Sequence, residues 1–111
     1  MEAAKASAWQ VRISATKVRQ VLELIRGKKA SEALVTLKYT PNRAARHIEK
    51  VLKSAVANAE HNKGMDMDRL VIVEAKADQG AYMKRFRPVS MGRAHAFRHQ
   101  TSHITLLVAE K

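Results

Sequence analysis

Cysteine is absent from this chain, and acidic residues are absent from most of its last third. Without cysteine, disulfide bonds and cysteine-based zinc sites are excluded. No apolar run approaches the roughly 20 residues needed to span a bilayer. The first residues also lack the apolar segment of a signal peptide. We therefore expect no membrane association and a location in the cytoplasm.

Aromatic residues are also scarce, at 5% of 111 residues, so a core must be built from aliphatic side chains and methionine. Hydrophobic residues make up 46% of the chain, which suits one domain spanning residues 1–111. Lysine and arginine outnumber acidic residues by 21 to 10, for a net charge of +11. A charge of this size favours a polyanionic partner, which can be RNA, DNA or an anionic membrane.

The most informative segment is the acid-free stretch at residues 79–109. Its lysine and arginine residues are Lys84, Arg85, Arg87, Arg93 and Arg98. Arginine and lysine supply phosphate contacts, and arginine also stacks on bases. The sequence on both sides is typical of β-strands. The pattern predicts a basic arm held out on two strands, with nucleic acid as its target.

Three segments have the composition of β-strands: residues 3–13, 70–77 and 101–110. In the first of them, strict alternation would place Trp9, Val11 and Ile13 on one side. The last two strands are neighbours in the order of elements, and they most simply pair as an antiparallel hairpin. The segment between them, at about residues 78–102, is much longer than an ordinary hairpin loop.

Three helices are predicted between the first two strands. Ser14 and Gly27 have the residue types of an N-cap and a C′ position, and they bracket the first helix. A short second helix begins at Ser31 and ends around residues 39–41. The third helix begins at Thr40 or Asn42 and ends near residues 61–64, with small residues for close packing at Ala55, Ala57 and Ala59. The element order β-α-α-α-β-arm-β is that of an α+β fold.

We expect the arm to be a two-stranded ribbon, with its turn near the middle at Pro88 and Gly92. Ten residues each way would reach about 30 Å. An isolated ribbon of two strands is marginally stable in water. We therefore expect residues 80–100 to be mobile in the free protein and to become ordered on a partner.

A second basic cluster surrounds the predicted first helix. Its members are Arg12, Ser14, Lys17, Arg19, Arg26, Lys28 and Lys29. Lys17 and the amides at the start of the helix are suited to phosphate. Arg19 and Arg26 are two helical turns apart on one face. An ordinary solvated helix face is the alternative, but together with the arm a second RNA contact surface is favoured.

Catalytic and metal chemistry have little support. There is no carboxylate pair, no nucleophile with a matched base and no glycine-rich phosphate loop. His95, His99 and His103 are spaced by four, which on a strand separates Cα atoms by about 13 Å, too far for one ion. We predict a protein that is not an enzyme, binds no metal and needs no cofactor.

Several motifs occur in an order typical of a known family. They are Arg12-x-Ser14-x-x-Lys17-x-Arg19, residues 24–28 (LIRGK), residues 57–62 (ANAEHN), Lys84-Arg85-x-x-Pro88, residues 92–94 (GRA) and residues 101–104 (TSHI). Across nearly its whole length, the chain resembles the bacterial large-subunit ribosomal protein L22 family, also called uL22. The resemblance implies three helices packed on a small three-stranded antiparallel sheet, with a long protruding β-hairpin.

The resemblance also implies a structural role in the 50S ribosomal subunit. The partners it implies are 23S rRNA, other large-subunit ribosomal proteins and the nascent polypeptide in the exit tunnel. The protein would be a monomer within the ribosome, would support subunit assembly and would line the tunnel with its hairpin tip. Relatives usually have cations at the positions of Val89, His99 and Gln100, so here the grip on RNA should rest on the five cations of the arm.

Two residue sets follow from the motifs and the resemblance. The expected RNA contacts are Arg12, Ser14, Lys17, Arg19, Arg26, Lys28, Lys29, Lys84, Arg85, Arg87, Arg93, Arg98, Thr101, Ser102 and His103. The expected tunnel-lining tip is Met83, Lys84, Arg85, Pro88, Met91, Gly92 and Arg93. The main alternative function is a β-arm DNA-binding architectural protein. A nuclease and a membrane-active polycation are weaker alternatives.

Overall fold

The computed structural model describes residues 3–80, 83–88, 94–99 and 101–110, and describes side chains in the first and last of these ranges. The elements follow the predicted order. They are β1 (Ala4–Val11), α1 (Ala15–Ile25), α2 (Ala30–Tyr39), α3 (Arg43–Lys63), a 3-10 turn (Met67–Arg69), β2 (Leu70–Gln79), β3 (Met83–Pro88), β4 (Ala94–His99) and β5 (Ser102–Glu110). The α+β fold class is confirmed.

Helix boundaries depend on caps and on glycine. Ser14 is the N-cap of α1, although its side chain makes no capping hydrogen bond, and Gly27 follows the helix with a φ of 81°. Of the two candidates for the start of α3, Asn42 is the N-cap, because its side chain accepts a hydrogen bond from the Ala44 amide (2.9 Å). Gly64 ends α3 with a φ of 62°, where a side chain would be strained.

The core sheet has the strand order β1-β5-β2, and all its pairs are antiparallel. The helices cover one face of this sheet. The largest side chains between the layers are fully buried and aliphatic: Leu22, Ile25, Leu37, Ile48, Leu52, Leu70, Ile72, Ile104 and Leu106. This confirms the aliphatic core predicted from the scarcity of aromatic residues. Ala55 and Ala59 are buried as predicted, but Ala57 is exposed because it lies on the outer side of α3.

Arg46 ties the end of α2 to α3. Its Nη2 atom donates to the carbonyl oxygens of Leu37 (2.8 Å), Lys38 (3.1 Å) and Thr40 (2.9 Å). These carbonyls lie at the end of α2, where the helix leaves acceptors unpaired. Helix α2 begins at Ala30, one residue before the predicted start at Ser31, and Lys29 is its N-cap.

The alternation predicted for β1 is wrong beyond Ala8, because a bulge interrupts the strand. Gln10 has a φ of 53°, and the register with β5 shifts between Ala8 and Val11. A bulge moves the following side chains to the other face of a strand. Trp9 precedes Gln10 and is 69% exposed, whereas Ile13 follows the bulge and is buried, so the two side chains do not share a side.

β3 and β4 form a separate two-stranded antiparallel sheet, the arm, whose register runs from Met83↔His99 to Pro88↔Ala94. The predicted ribbon is thus present, with its connection between Pro88 and Ala94. The core ladder continues to Gln79↔Ser102, so the arm is inserted slightly later than residue 78. The radius of gyration is 17.0 Å, against about 13 Å for a compact domain of this length. The longest dimension is 62 Å.

Candidate nucleic-acid interface

The outer edge of β2 is covered by Arg19 of α1 and by Arg26, the C-cap of that helix. The Nη2 atom of Arg26 donates to the carbonyl of Ala75 (2.7 Å), while Nη1 pairs with the carboxylate of Glu23. The Nε atom of Arg19 donates to the carbonyl of Ala77 (3.1 Å). These bonds satisfy carbonyls that an edge strand would otherwise present to another chain. Sequence reasoning placed both arginines on one helix face but missed this structural role.

The loop after α1 covers the next part of the same edge. The Gly27 amide donates to the Ile72 carbonyl (3.2 Å), and the Ile72 amide donates to the Lys28 carbonyl (3.0 Å). A single bridge joins Lys29 to Val71. The backbone of the loop is therefore fixed, and it presents the exposed side chains of Lys28 and Lys29.

The remaining cations of the second basic cluster point to solvent. Arg12 and Lys17 are exposed, and Ser14 is half-buried. Within the described ranges, neither the Arg12 nor the Lys17 side chain has an acidic partner. The first turn of α1 contains no acidic residue. This end of the helix thus carries positive charge that no internal ion pair neutralises.

The junction between β5 and the arm is tightly packed. Thr101 and Ser102 are 2% and 0% exposed, so neither side chain presents a surface to a partner in this arrangement. The Ser102 hydroxyl has no hydrogen-bond partner among the described residues. A Cβ atom on Gly80 would lie 2.5 Å from the Thr101 hydroxyl oxygen, and the Gly80 amide donates to the Thr101 carbonyl (2.8 Å). A side chain at position 80 would therefore force Thr101 to move, because the two segments of the chain approach each other closely here.

His103 is held beside Trp9 on the open face of the sheet. Its Nδ1 atom accepts a hydrogen bond from the Gln10 amide (3.0 Å). The rings of Trp9 and His103 are tilted by 57°, with centroids 4.7 Å apart. The β1 bulge brings the Gln10 amide to the imidazole. A regular alternation of side chains along β1 could not predict this contact, because Gln10 lies in the bulge that interrupts the alternation.

The ladder of the arm places one pair of cationic residues, Lys84 and Arg98, opposite each other. Lys84 is the register partner of Arg98, Arg85 of Phe97 and Arg87 of His95. Like charges at facing positions destabilise a sheet in the absence of counter-charge. Of the expected tip set, Met83, Lys84 and Arg85 lie in the half of β3 nearer the core ladder, and Pro88 adjoins the connection. Met91, Gly92 and Arg93 lie outside the described residues.

A further basic surface, which sequence reasoning did not single out, lies on α3. Arg43, His47 and Lys50 are spaced at helical intervals on its outer side. Burial and then the charges of Arg43 and Lys50 lower the pKa of His47 below its ordinary value. The helical spacing was visible in the sequence, but the partial burial of the imidazole was not.

Comparison with known proteins gives this set of surfaces a context. Residues 6–109 match the family described as ribosomal protein L22p/L17e. Proteins from two strains of Desulfitobacterium hafniense, each named large ribosomal subunit protein uL22, are 55% identical over 111 residues, which cover 100% of this chain and 97% of each relative. The chain belongs to the ribosomal protein L22p/L17e family.

Membership of the L22p/L17e family confirms the resemblance inferred from the motifs. Its members are structural ribosomal proteins, so the predictions of a non-enzymatic ribosomal protein and of a location on the cytoplasmic ribosome are also confirmed. Within the described residues, no group of three or more His, Cys, Asp or Glu side chains is arranged to hold a metal ion. None of the described helices is long and apolar enough to cross a membrane.

Proposed function

We propose that this chain binds 23S rRNA in the large ribosomal subunit, supports assembly of the subunit and lines the polypeptide exit tunnel with the distal end of its arm. Its other partners are neighbouring large-subunit proteins and the nascent polypeptide, and it acts as a monomer within the ribosome. The observation that carries the proposal is the paired arm of β3 and β4, which lies within an acid-free stretch of residues 79–109.

The arm needs a polyanion for its own stability. Its register sets Lys84 opposite Arg98, and residues 79–109 contain no Asp or Glu that could offset these two charges. Phosphates between such cations replace repulsion with charge-assisted hydrogen bonds. Binding also releases counterions condensed on the RNA, which supplies much of the affinity at low salt.

The second basic cluster contacts the same RNA through its exposed members. Arg12, Lys17, Lys28 and Lys29 are the primary phosphate contacts of this surface, because their side chains are exposed. Arg19 and Arg26 have a dual role, with one part of each guanidinium on the β2 edge and the rest available to RNA. Arginine suits such a role because it has five N–H donors.

Thr101, Ser102 and His103 support the interface from its junction with the arm. The burial of Thr101 and Ser102 gives them a positioning role, since they set the path of the chain between β4 and β5. We assign the tunnel-lining role to Pro88 and to Met91, Gly92 and Arg93, which come a few residues later in the sequence. This choice follows from the register, which puts Met83 and Lys84 at the near end of the arm.

The salt dependence of RNA affinity tests the electrostatic part of the proposal. A variant with Lys84, Arg85, Arg87, Arg93 and Arg98 changed to Gln is compared with the wild-type protein on transcribed 23S rRNA. If each cation meets a phosphate, the slope of log K against log salt becomes shallower by about 4.

The matched control removes five positive charges from the helices, at Lys38, Arg43, Lys50, Lys53 and Lys63. Its slope should stay closer to that of the wild-type protein. Equal slopes for both variants would mean that net charge alone, and not the arm, determines binding.

Photo-crosslinking from position 91 to a stalled nascent chain tests the tunnel role, with position 38 on α2 as control.

A further inference from the structure

Trp9 is the only tryptophan of the chain, and it is 69% exposed. It lies on the face of the core sheet opposite the helices, as do Lys5 and Ser7, since these residues alternate with the buried Ala4 and Ala6. The arm begins beside it, because β5 pairs with β1 through Ala8↔Ile104 and Val11↔Ser102. A large exposed indole at this position is unexplained by the packing of the core.

The indole stands against a firmly held imidazole. His103 accepts the Gln10 amide hydrogen bond at Nδ1 (3.0 Å), and its ring lies 4.7 Å from that of Trp9. On its other side, a Cβ on Gly80 would be only 3.1 Å from Cε1 and 3.3 Å from Nε2. The imidazole is therefore held at Nδ1 and lies close to Gly80, and it contacts one side of the indole while most of that ring stays exposed.

The charges around Trp9 and His103 favour a ligand with a neutral ring, such as a nucleobase, over a phosphate. Asp78 on β2 is exposed and is the register partner of His103, so a carboxylate lies beside the aromatic pair. A carboxylate here would repel a phosphate. A nucleobase carries no net charge, so it can approach the indole while its backbone follows the nearby cations, of which Arg12 is exposed and unpaired with acids in the described chain.

We propose that Trp9 stacks on an unpaired base of the bound RNA where the arm leaves the core sheet, with His103 as the positioning residue. This inference rests on the proposed RNA-binding function and names one base-recognition site within it. Stacking suits the site because every base has a π-face and a pre-positioned indole loses little conformational entropy on binding. Single-stranded elements of RNA are the ones whose bases are free to stack on aromatic side chains.

Tryptophan fluorescence gives a direct readout, because Trp9 is the sole tryptophan. Titration with transcribed 23S rRNA should quench its emission in parallel with binding measured by filter retention. A single-stranded oligoadenylate should also quench it, whereas a fully paired RNA duplex at the same phosphate concentration should not. Binding of 23S rRNA without quenching would overturn the stacking site and leave the proposed function standing.

Variants separate stacking from charge. Trp9→Ala should weaken binding of 23S rRNA about tenfold with an unchanged salt slope, because base stacking releases no counterions. Trp9→Phe should restore most of the affinity. Arg12→Gln should instead make the slope shallower by about 1. Tyr39→Ala, which removes an aromatic that is 76% exposed on α2, is the matched control and should bind like the wild-type protein.

Three further results would overturn the proposal. The first is a Trp9→Ala affinity equal to that of the wild-type protein. The second is a Trp9→Ala loss accompanied by a shallower salt slope, which would indicate an electrostatic cause. The third is burial of Trp9 only in complete subunits, which would indicate a protein neighbour. Failure of the wild-type protein to bind 23S rRNA would overturn the proposed function itself. Trp9→Ala should fold normally, because the indole is mostly exposed, and thermal unfolding checks this.

Discussion

The core sheet and the arm are both antiparallel and are joined directly along the chain, yet they differ in what surrounds them. The core sheet has a central strand, β5, paired on both sides and buried under helices, with Leu106 fully buried at its centre. The arm is a two-stranded sheet in a stretch without acids. Apolar burial therefore stabilises the core sheet by itself, whereas we expect the arm to depend on charge supplied by a partner.

The two ladders also differ in register. The core ladder ends at Gln79↔Ser102 and the arm ladder begins at Met83↔His99. Three residues therefore separate the strands on one side of the junction and two on the other. A one-residue offset exchanges the faces of a strand. The arm ladder is therefore out of step with the core ladder by one residue.

The largest expected contrast is in amide hydrogen exchange of the free protein. Amides of β5 should exchange close to the rate of global unfolding, whereas those of β3 and β4 should exchange at least about a thousandfold faster. The physical reason is that no third strand or helix protects the arm among the described elements. The measurement is exchange followed by NMR, without RNA and with transcribed 23S rRNA.

RNA should slow exchange in β3 and β4 and leave β5 nearly unchanged, since β5 is already protected. Arm amides that are as slow as those of the core sheet in the free protein would remove the distinction between the two regions. Such a result would mean that the ribbon is stable without counter-charge.

A smaller effect is expected at the junction, where Gly80 meets Thr101. Gly80→Ala would place Cβ 2.5 Å from the Thr101 hydroxyl oxygen and 3.1 Å from Cε1 of His103. One of these groups must move, and overpacking of this kind lowers the free energy of unfolding by about 1–3 kcal/mol. Urea unfolding measures the loss.

A double-mutant cycle gives the control for the junction. Thr101→Ala removes the atom nearest to the new Cβ, so the double variant should lose less stability than the sum of the two single variants. Strict additivity would show that the cost of Gly80→Ala arises elsewhere. Because His103 also lies close, Gly80→Ala should change the fluorescence of Trp9 as well, which couples the junction to the proposed stacking site.

Much of the fold could be predicted from local signals. The caps and the helical spacing of aliphatic residues indicated all three helices, and Pro88 and Gly92 indicated the connection of the arm. Trp9 shows where such signals fail. Alternation placed Trp9 on the same side as Ile13, but Trp9 is exposed and Ile13 is buried, because a bulge lies between them. A bulge depends on how the strand meets β5 and leaves no periodic pattern of its own.

The sequence identified the cations of the candidate interface. It could not show which of them are free to contact a partner and which already bind other parts of the protein. Charge placed Arg19 and Arg26 on one helix face, but only the fold shows that both donate to carbonyls of β2. Ser102 belongs to a motif that the resemblance marks as an RNA contact, and its position in the fold buries its side chain. Residue type indicates what a group can bind, whereas its tertiary neighbours decide which partner it has.

The smallest expected effect is a change in stability with pH, caused by neighbouring cations on α3 of the core and not by those of the arm. On α3, burial and the charges of Arg43 and Lys50 lower the pKa of His47 below its ordinary value near 6.5. The unfolded chain therefore binds more protons than the folded protein between the two pKa values. The stability associated with His47 is fully present above pH 6.5 and is lost as the pH falls through 6.5 towards the lowered value.

Replacement of His47 by Gln should therefore make unfolding free energy less dependent on pH in that window, as measured by urea titration at a series of pH values. Lys50→Gln is the matched variant: it removes one positive neighbour and should reduce the pH dependence only in part, because burial is the larger cause of the shift. If the His47→Gln and wild-type profiles coincide, the cations of α3 do not interact with the imidazole strongly enough to matter. Repulsion between neighbouring cations would then lower stability in the arm, where facing strands place Lys84 opposite Arg98, but not on α3.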